Sequence, residues 1–447
     1  MSIAYDLDEL PKRVLKKIQT ELKIRRKKTI YDKAPKPIQV YYHNKGTNEI
    51  HIPLGCFEKY KPYASYTFPH DINDYTNTSM TFKGKLLKAK TDHRKRDQNV
   101  LVREAISRLE TSQTVFISAF TGFGKTVTAI YLMCYIGKKV MILCHLSALK
   151  KQWKDEIELF STAKVQIVKG KTLDPHADVY ILGVMKVKTM DPDMFIDIGV
   201  VVIDEAHLCT QVAFTVSLLK FRPYYVIGLS ATPYRKDKLD ALFNFFFGDK
   251  ENYIIRKETK KFTVFKYCTN HTFPEERTIT VRGKIVRDWT NMITDLNNID
   301  KRTEEIGDIA LHHKNEKIII LCDRQAMATK LYEYLTSKGD SAYLYIGSND
   351  VWDKTKRILV TGFKKGGTGL NDPDLTMAIL ANDNTDPTQY AGRIRKTDNI
   401  IYVIVDDHPS FEKHWKIQSK FFIEQGATIH TVFNLRNVDE ILNQNSV

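Results

Sequence analysis

The sequence predicts an α/β protein in which two tandem parallel-sheet domains follow a small basic α+β module. Three observations carry that expectation. Short unbroken apolar runs, such as Val140-Met-Ile-Leu143, Val179-Tyr-Ile-Leu182 and Val200-Val-Val-Ile203, alternate with helix-length stretches, the pattern of parallel strands covered on both faces. The rhythm breaks near residue 256 and starts afresh after about residue 286. A chain of 447 residues, 43% hydrophobic, can build two or three domains with real cores.

Residues 1–92 read as a separate front module. A basic amphipathic helix over about Leu10 to Lys28 precedes short strands, Ile38-Gln-Val-Tyr-Tyr42 and Glu49-Ile-His-Ile52. An aromatic series follows, comprising Phe57, Tyr60, Tyr63, Tyr66, Phe68 and Tyr75. The simpler account of it is the core of a small β-rich domain; stacking on bases is the alternative. The first α/β domain spans 93–255, with strands at Thr114-Val-Phe-Ile117, the three runs above and Tyr225-Val-Ile-Gly228. Residues 256–285 are charged and β-prone and read as a connector or small insertion. The second domain spans 286–447. A long helix, about Val286 to His312, leads into strand Lys317-Ile-Ile-Ile-Leu321 and a helix from Arg324 to Ser337. Strands Arg357-Ile-Leu-Val360, Met377-Ala-Ile-Leu380 and Ile400-Ile-Tyr-Val-Ile-Val405 complete the reading.

The formal net charge is +15, which favours a polyanionic partner, most simply nucleic acid. Residues 1–40 hold eleven Lys/Arg against five Asp/Glu, and Lys83 to Arg96 adds seven more Lys/Arg. Such runs are either solvated faces or phosphate-backbone contacts. No apolar run approaches the ~20 residues of a membrane span, and Met1 to Glu9 carries no secretory pattern. Six scattered cysteines (Cys56, Cys134, Cys144, Cys209, Cys268 and Cys322) form no CxxC pair. A reducing intracellular setting, without a disulfide framework or zinc site, is the expectation.

The chemistry gathers at three strand ends. Ser118-Ala-Phe-Thr-Gly-Phe-Gly-Lys-Thr126 joins an apolar strand to a helix. Strand, glycine-bearing turn and helix is the context a phosphate loop needs, because backbone N–H groups at the turn present positive charge to a polyphosphate. Thr121, Gly122, Phe123, Gly124, Lys125 and Thr126 are the candidate ATP-binding residues. Lys125 is expected at the β/γ-phosphates and the Thr126 hydroxyl on Mg²⁺. The general pattern opens with glycine, where this chain has Ala119. Gln98, upstream, is a candidate for reading the adenine edge. In Val201-Val-Ile-Asp-Glu-Ala-His207, a strand delivers two acids to the carboxyl edge of the sheet. Asp204 is the expected Mg²⁺ ligand, and Glu205 the acceptor of a proton from the attacking water. Gly228-Leu-Ser-Ala-Thr-Pro233 ends another strand with small hydroxyl residues, which can couple to the acids through His207.

Phosphate loop, Asp-Glu-Ala-His and Ser-Ala-Thr, in that order, resemble the motifs of superfamily 2 DEAH-box helicases. Lys365-Gly-Gly-Thr-Gly-Leu-Asn-Asp-Pro373 resembles motif V of that superfamily and Gln389-Tyr-Ala-Gly-Arg-Ile-Arg-Lys396 its motif VI. The resemblance covers about residues 94–410 and implies two tandem RecA-like domains. It assigns coupling to His207, Ser230, Thr232, Gly369, Gln389 and Lys396, and makes Arg393 an arginine finger on the γ-phosphate. Gly122-Phe-Gly-Lys-Thr-Val-Thr128, Leu149-Lys-Lys-Gln-Trp-Lys154 and Gly367-Thr-Gly-Leu370 look most like the poxvirus-type transcript-release DNA helicases of large cytoplasmic DNA viruses. That likeness implies a 3′-to-5′ translocase driven by ATP and Mg²⁺ and acting on DNA. It further implies RNA polymerase and transcription factors as partners, in the cytoplasm of an infected cell or the virion. An RNA substrate, or a weakly hydrolysing ATP-binding transcription subunit, stays open as an alternative. Two departures bear on turnover. Lys396 stands where motif VI usually has a second arginine, with Arg395 beside it, and lysine lacks the planar two-pronged donor. Asn371 stands where motif V usually has aspartate, with Asp372 next to it.

Overall fold

The computed structural model describes residues 1–25, 37–63, 66, 71–88, 97–120, 122–145, 147–209, 215, 217–231, 239–256, 262–281, 283–347, 352–367, 372, 374–384 and 399–444. The chain forms two compact units, Met1–Lys257 and Glu258–Val447.

The first unit opens with a three-stranded antiparallel sheet made of β1 (Ser2–Asp6), β2 (Tyr42–Asn44) and β3 (Glu49–Pro53), in the order β1-β3-β2. Helix α1 (Lys12–Glu21) turns Val14 and Ile18 inward. It is shorter than its sequence suggested, ending with Leu22 N–H on the Ile18 carbonyl. Phe57, Tyr60 and Tyr75 are core residues, whereas Tyr63 and Tyr66 stay exposed; Phe68 lies outside the described residues. The front segment does not stand apart as the sequence suggested. Its Met1, Ile3, Tyr5, Leu54 and Phe57 share one core with Phe116, Leu218, Phe243 and Phe247 of the α/β layer. A Cβ on Gly55 would lie 2.4 Å from the Gly248 nitrogen and 2.7 Å from the Phe245 carbonyl oxygen. Only glycine allows the two backbones to approach so closely.

Behind it lies a seven-stranded parallel sheet. Its strands are β4 (Thr114–Ala119), β5 (Val140–Cys144), β6 (Val165–Ile167), β7 (Val179–Gly183), β8 (Val200–Ile203), β9 (Tyr225–Ser230) and β10 (Tyr253–Arg256). The spatial order is β10-β4-β9-β8-β5-β7-β6. Side chains alternate across it. Phe116, Leu143, Val201 and Ile203 face the core shared with the front segment, while Val115, Ile117, Ile142 and Val202 face the opposite one. Helices α2 (Gln98–Ser112), α3 (Lys125–Ile136) and α4 (Ser147–Phe160) belong to this unit. Asp97 caps α2 by accepting from the Asn99 and Val100 N–H groups. Gly137, at φ 66°, ends α3 in the left-handed region.

The second unit repeats the architecture with a correction to its start. Strand β11 (Phe262–Cys268) lies in the region expected to be a connector, yet it is an interior strand of the second sheet. The hairpin β12 (Thr278–Val281) and β13 (Lys284–Arg287) follows. The expected long helix is two helices, α5 (Trp289–Asn297) and α6 (Asp300–His312), because Ile299 is extended between them. Then come β14 (Ile318–Cys322), α7 (Gln325–Ser337), β15 (Ala342–Tyr345), β16 (Ile358–Gly362), β17 (Met377–Leu380), β18 (Asn399–Val405), α8 (Pro409–Glu424), β19 (Ala427–Val432) and α9 (Leu435–Gln444). The order β15-β16-β14-β17-β18-β11-β19 is parallel throughout.

Candidate functional site

In parallel α/β sheets, ligands bind at the carboxyl ends of the strands, and here β4, β9, β8 and β5 lie side by side. Strands β4, β8 and β9 each bring a motif segment to that edge, and β5 contributes the Leu143 carbonyl. β4 runs into the glycine-bearing turn, and α3 starts at Lys125 directly after it. Gly122 at φ 87° and Gly124 at φ 91° occupy backbone that side-chain-bearing residues avoid. A Cβ on Gly124 would also lie 2.4 Å from Gln98 Nε2. The turn is therefore a glycine-lined cradle at a helix N-terminus, suited to phosphate oxygens.

Gln98 is buried, and its side chain is committed to the protein. Its Nε2 donates to the Phe123 carbonyl at 2.8 Å, and its Oε1 accepts the Leu87 N–H at 2.8 Å. Both ends of the amide therefore brace the turn from beneath. Lys125 Nζ donates to the Ala119 carbonyl at 2.8 Å, spanning the base of the cradle where a phosphate is expected. Thr126 sits in the first turn of α3.

Asp204 follows β8, with its N–H on the Leu143 carbonyl of β5. Its Oδ1 accepts the Glu205 N–H at 2.9 Å, and its Oδ2 accepts the indole N–H of Trp153 at 2.8 Å. Burial, and then the neighbouring Glu205 charge, push its carboxyl up to about 6. Glu205 adopts φ 46°, one of three side-chain-bearing residues in the left-handed region among the described residues. Strain of this kind costs about 1–3 kcal/mol and collects at functional sites. His207 joins the next strand end. Its Nδ1 lies 3.0 Å from Ser230 Oγ and 3.4 Å from Glu205 Oε2.

One strip of sheet edge therefore gathers Gln98, Gly122, Phe123, Gly124, Lys125, Thr126, Asp204, Glu205, His207 and Ser230. Thr121, Thr232, Gly369, Gln389, Arg393 and Lys396 lie outside the described residues, as do Asn371 and Arg395. Sequence reasoning missed the role of Trp153, because an indole in a helix reads as packing until its partner is seen. No cluster of three or more His, Cys, Asp or Glu able to hold a metal occurs among the described residues. The oxygen donors at hand, Thr126 hydroxyl and Asp204 carboxylate, fit a hard cation that takes its remaining ligands from phosphate and water. No helix among the described residues is long and apolar enough to cross a membrane.

Residues 88–235 match the family model described as type III restriction enzyme, res subunit. The chain is 28% identical to the putative helicase 161L of Invertebrate iridescent virus 6, over 96% of this chain and 99% of that one. It is 24% identical to the transcript termination protein A18 of Yaba monkey tumor virus, over 58% of this chain and 59% of the relative. Among solved structures, Dbp5 of S. cerevisiae bound to RNA and ADP BeF3 superimposes with a TM-score of 0.54 at 16% identity, covering 77% of this chain and 92% of that one. That likeness, with the two seven-stranded parallel sheets, fits two tandem RecA-like domains.

Proposed function

We propose that this chain, a superfamily 2 nucleic-acid helicase by the relatives it resembles, hydrolyses ATP to move 3′ to 5′ along DNA. The observation that carries the reading is the shared edge of β4 and β8. It sets a glycine cradle with Lys125 beside two adjacent acids, one of them on strained backbone.

Each residue takes one part of the reaction. The N–H groups at the start of α3 and the glycine turn would seat the phosphates, and Lys125 would exchange the Ala119 carbonyl for the β/γ-phosphate oxygens. Thr126 and Asp204 would hold Mg²⁺, which when bound neutralises phosphate charge. The Trp153 indole fixes one Asp204 oxygen and so orients the carboxyl. Glu205 accepts a proton from the attacking water. His207, close to both Glu205 and Ser230, links the acids to the next strand end, where Thr232 follows. Arg393, in the role its motif implies, supplies the cation for charge that develops on the γ-phosphate. Gly369, Gln389 and Lys396 complete the coupling set. The likeness to a protein named for transcript termination supports release of nascent transcripts as the task, beside RNA polymerase.

ATP turnover measured with no polynucleotide, single-stranded DNA, duplex DNA or RNA tests this directly. DNA should stimulate it most, and Lys125→Ala or Glu205→Gln should remove it, by roughly 10²-fold or more. Turnover indifferent to every polynucleotide would sink the helicase reading, and stimulation by RNA alone would move the substrate. Arg393→Ala should slow turnover at saturating ATP while nucleotide binding persists.

A further inference from the structure

The outer face of α1 breaks two rules of helix electrostatics. Lys12, Arg13, Lys16 and Lys17 are all exposed, and the helix has no acidic residue in its first turn. Lys12 with Lys16, and Arg13 with Lys17, are like-charged neighbours four residues apart, which repel. The first pair begins at the helix N-terminus, where the macrodipole also disfavours cations. None of Lys12, Arg13 and Lys16 has an acidic partner among the described residues. Of the acids around this face, Glu21 takes Lys59 at 2.8 Å and the Tyr60 hydroxyl at 2.6 Å, and Glu58 lies 4.0 Å from Lys61, while the exposed Asp8 and Glu9 precede the helix without pairing to its cations.

Aromatic surface adjoins this stripe. Lys17 Nζ lies 5.3 Å from the centroid of the Tyr63 ring, and Tyr66 meets Phe57 edge-on at 5.0 Å. Tyr63 and Tyr66 are each 40% exposed, whereas Phe57 is buried. The helix is amphipathic, but Val14 and Ile18 on its apolar side are already buried in the core, so it has no free apolar face to lay on a membrane.

We propose that this face is a nucleic-acid contact separate from the sheet edge, and that it takes a single strand. Unpaired cations would meet the phosphates and the two tyrosine rings would meet bases. The proposal deepens the helicase reading and rests on the chain acting on a polynucleotide.

The test uses the full chain, a labelled oligothymidylate of about 20 nucleotides and a labelled hairpin duplex, titrated across a range of salt concentrations. The Lys12→Gln, Arg13→Gln, Lys16→Gln triple variant should bind the oligothymidylate about tenfold more weakly at moderate salt. Its log–log salt slope should flatten by roughly 2, about 0.7 for each lost phosphate contact. Tyr63→Ala with Tyr66→Ala should weaken binding by about tenfold through lost stacking and leave the slope in place. Turnover without polynucleotide should be unchanged in both, reporting an intact fold. If the wild type is stimulated by the oligothymidylate while the triple variant keeps affinity and slope, the face is not a contact and the helicase reading survives. Losses confined to the duplex would overturn the single-strand assignment. A wild type that binds neither probe would overturn both readings together.

Discussion

Each seven-stranded sheet sends an aspartate past the carboxyl end of a strand, Asp204 after β8 and Asp406 after β18, and the two acids live in opposite surroundings. Asp406 is buried against Arg302, which gives it Nε at 2.8 Å and Nη2 at 2.8 Å, while Thr269 adds a hydroxyl at 2.7 Å. The remaining Arg302 donors reach the Ala381 carbonyl and Asn297, and Asn297 is in turn held by Asn382 and Asp323. Asp204 accepts from an indole and a backbone N–H, feels the opposite charge of Lys125, and shares its end of the sheet with a second acid. One edge is neutralised from within and serves the fold. The other holds two adjacent acids, and burial together with their mutual repulsion pushes Asp204 toward its neutral form.

Breaking the satisfied edge should produce the larger effect on folding. Arg302→Met strands the Asp406 carboxylate in a buried place, and uncoupling such a pair costs about 3–5 kcal/mol. Chemical denaturation followed by hydrogen exchange in β14, β17 and β18 should show the loss concentrated in residues 258–447. Adding Asp406→Leu should recover much of it, since a buried pair replaced whole by apolar groups is close to neutral. If Arg302→Met is as stable as the wild type, the network is ornamental and the contrast between the edges collapses.

How far the contrast could be seen beforehand varies by element. Fully apolar strands such as β5, β8 and β14 announce themselves, because a run of Val, Ile and Leu buried on both faces admits few other placements. Strand β11 was hidden by its setting. It follows the charged stretch from Arg256 and contains Lys266, whose ammonium pairs with Glu412 of α8. Its place between β18 and β19 depends on segments over a hundred residues further on. Strand β19, Ala-Thr-Ile-His-Thr-Val, alternates weakly and half of it is polar, so no apolar run marks it. The break between α5 and α6 had a local signal, Asn297-Asn298, that a helical period can absorb. At the candidate site, the glycines, Lys125 and the paired acids stand out in the sequence because phosphate chemistry restricts residue type. The Gln98 brace and the Trp153 hydrogen bond were not, since either side chain could serve as ordinary packing.

The charged edge makes a prediction with a sign. A carboxyl whose folded value is raised favours its neutral form in the native state. The stability it lends is full below the unfolded value near 4 and is lost as pH rises through about 6. At pH 8, without Mg²⁺ or nucleotide, ionised Asp204 therefore burdens the fold. Asp204→Asn should raise stability there by roughly 1–3 kcal/mol, and the gain should fade as pH falls toward 4. It should also abolish turnover, because the amide is a poor ligand for a hard cation. Thermal melts of the two proteins at pH 8 and pH 4 decide the matter, and equal melting at pH 8 would mean that the acid sits in no strain.

The smallest effect should sharpen the picture of how Asp204 is held. Trp153→Phe keeps most of the aromatic volume of a buried side chain but removes the donor to Oδ2. A hydrogen bond to a charged group contributes about 1.5–3 kcal/mol, of which some returns as the freed oxygen finds water. The carboxyl then loses its fixed orientation while its charge remains. Binding of a fluorescent ATP analogue should consequently need several-fold more Mg²⁺, and turnover should fall at limiting Mg²⁺ and recover as the cation is raised. A uniform drop in turnover at every Mg²⁺ concentration, with unaltered Mg²⁺ dependence of binding, would make Trp153 a packing residue. A matching loss of thermal stability with no change in either readout would place the indole in the core alone, and the orientation of Asp204 would then rest on the Glu205 N–H.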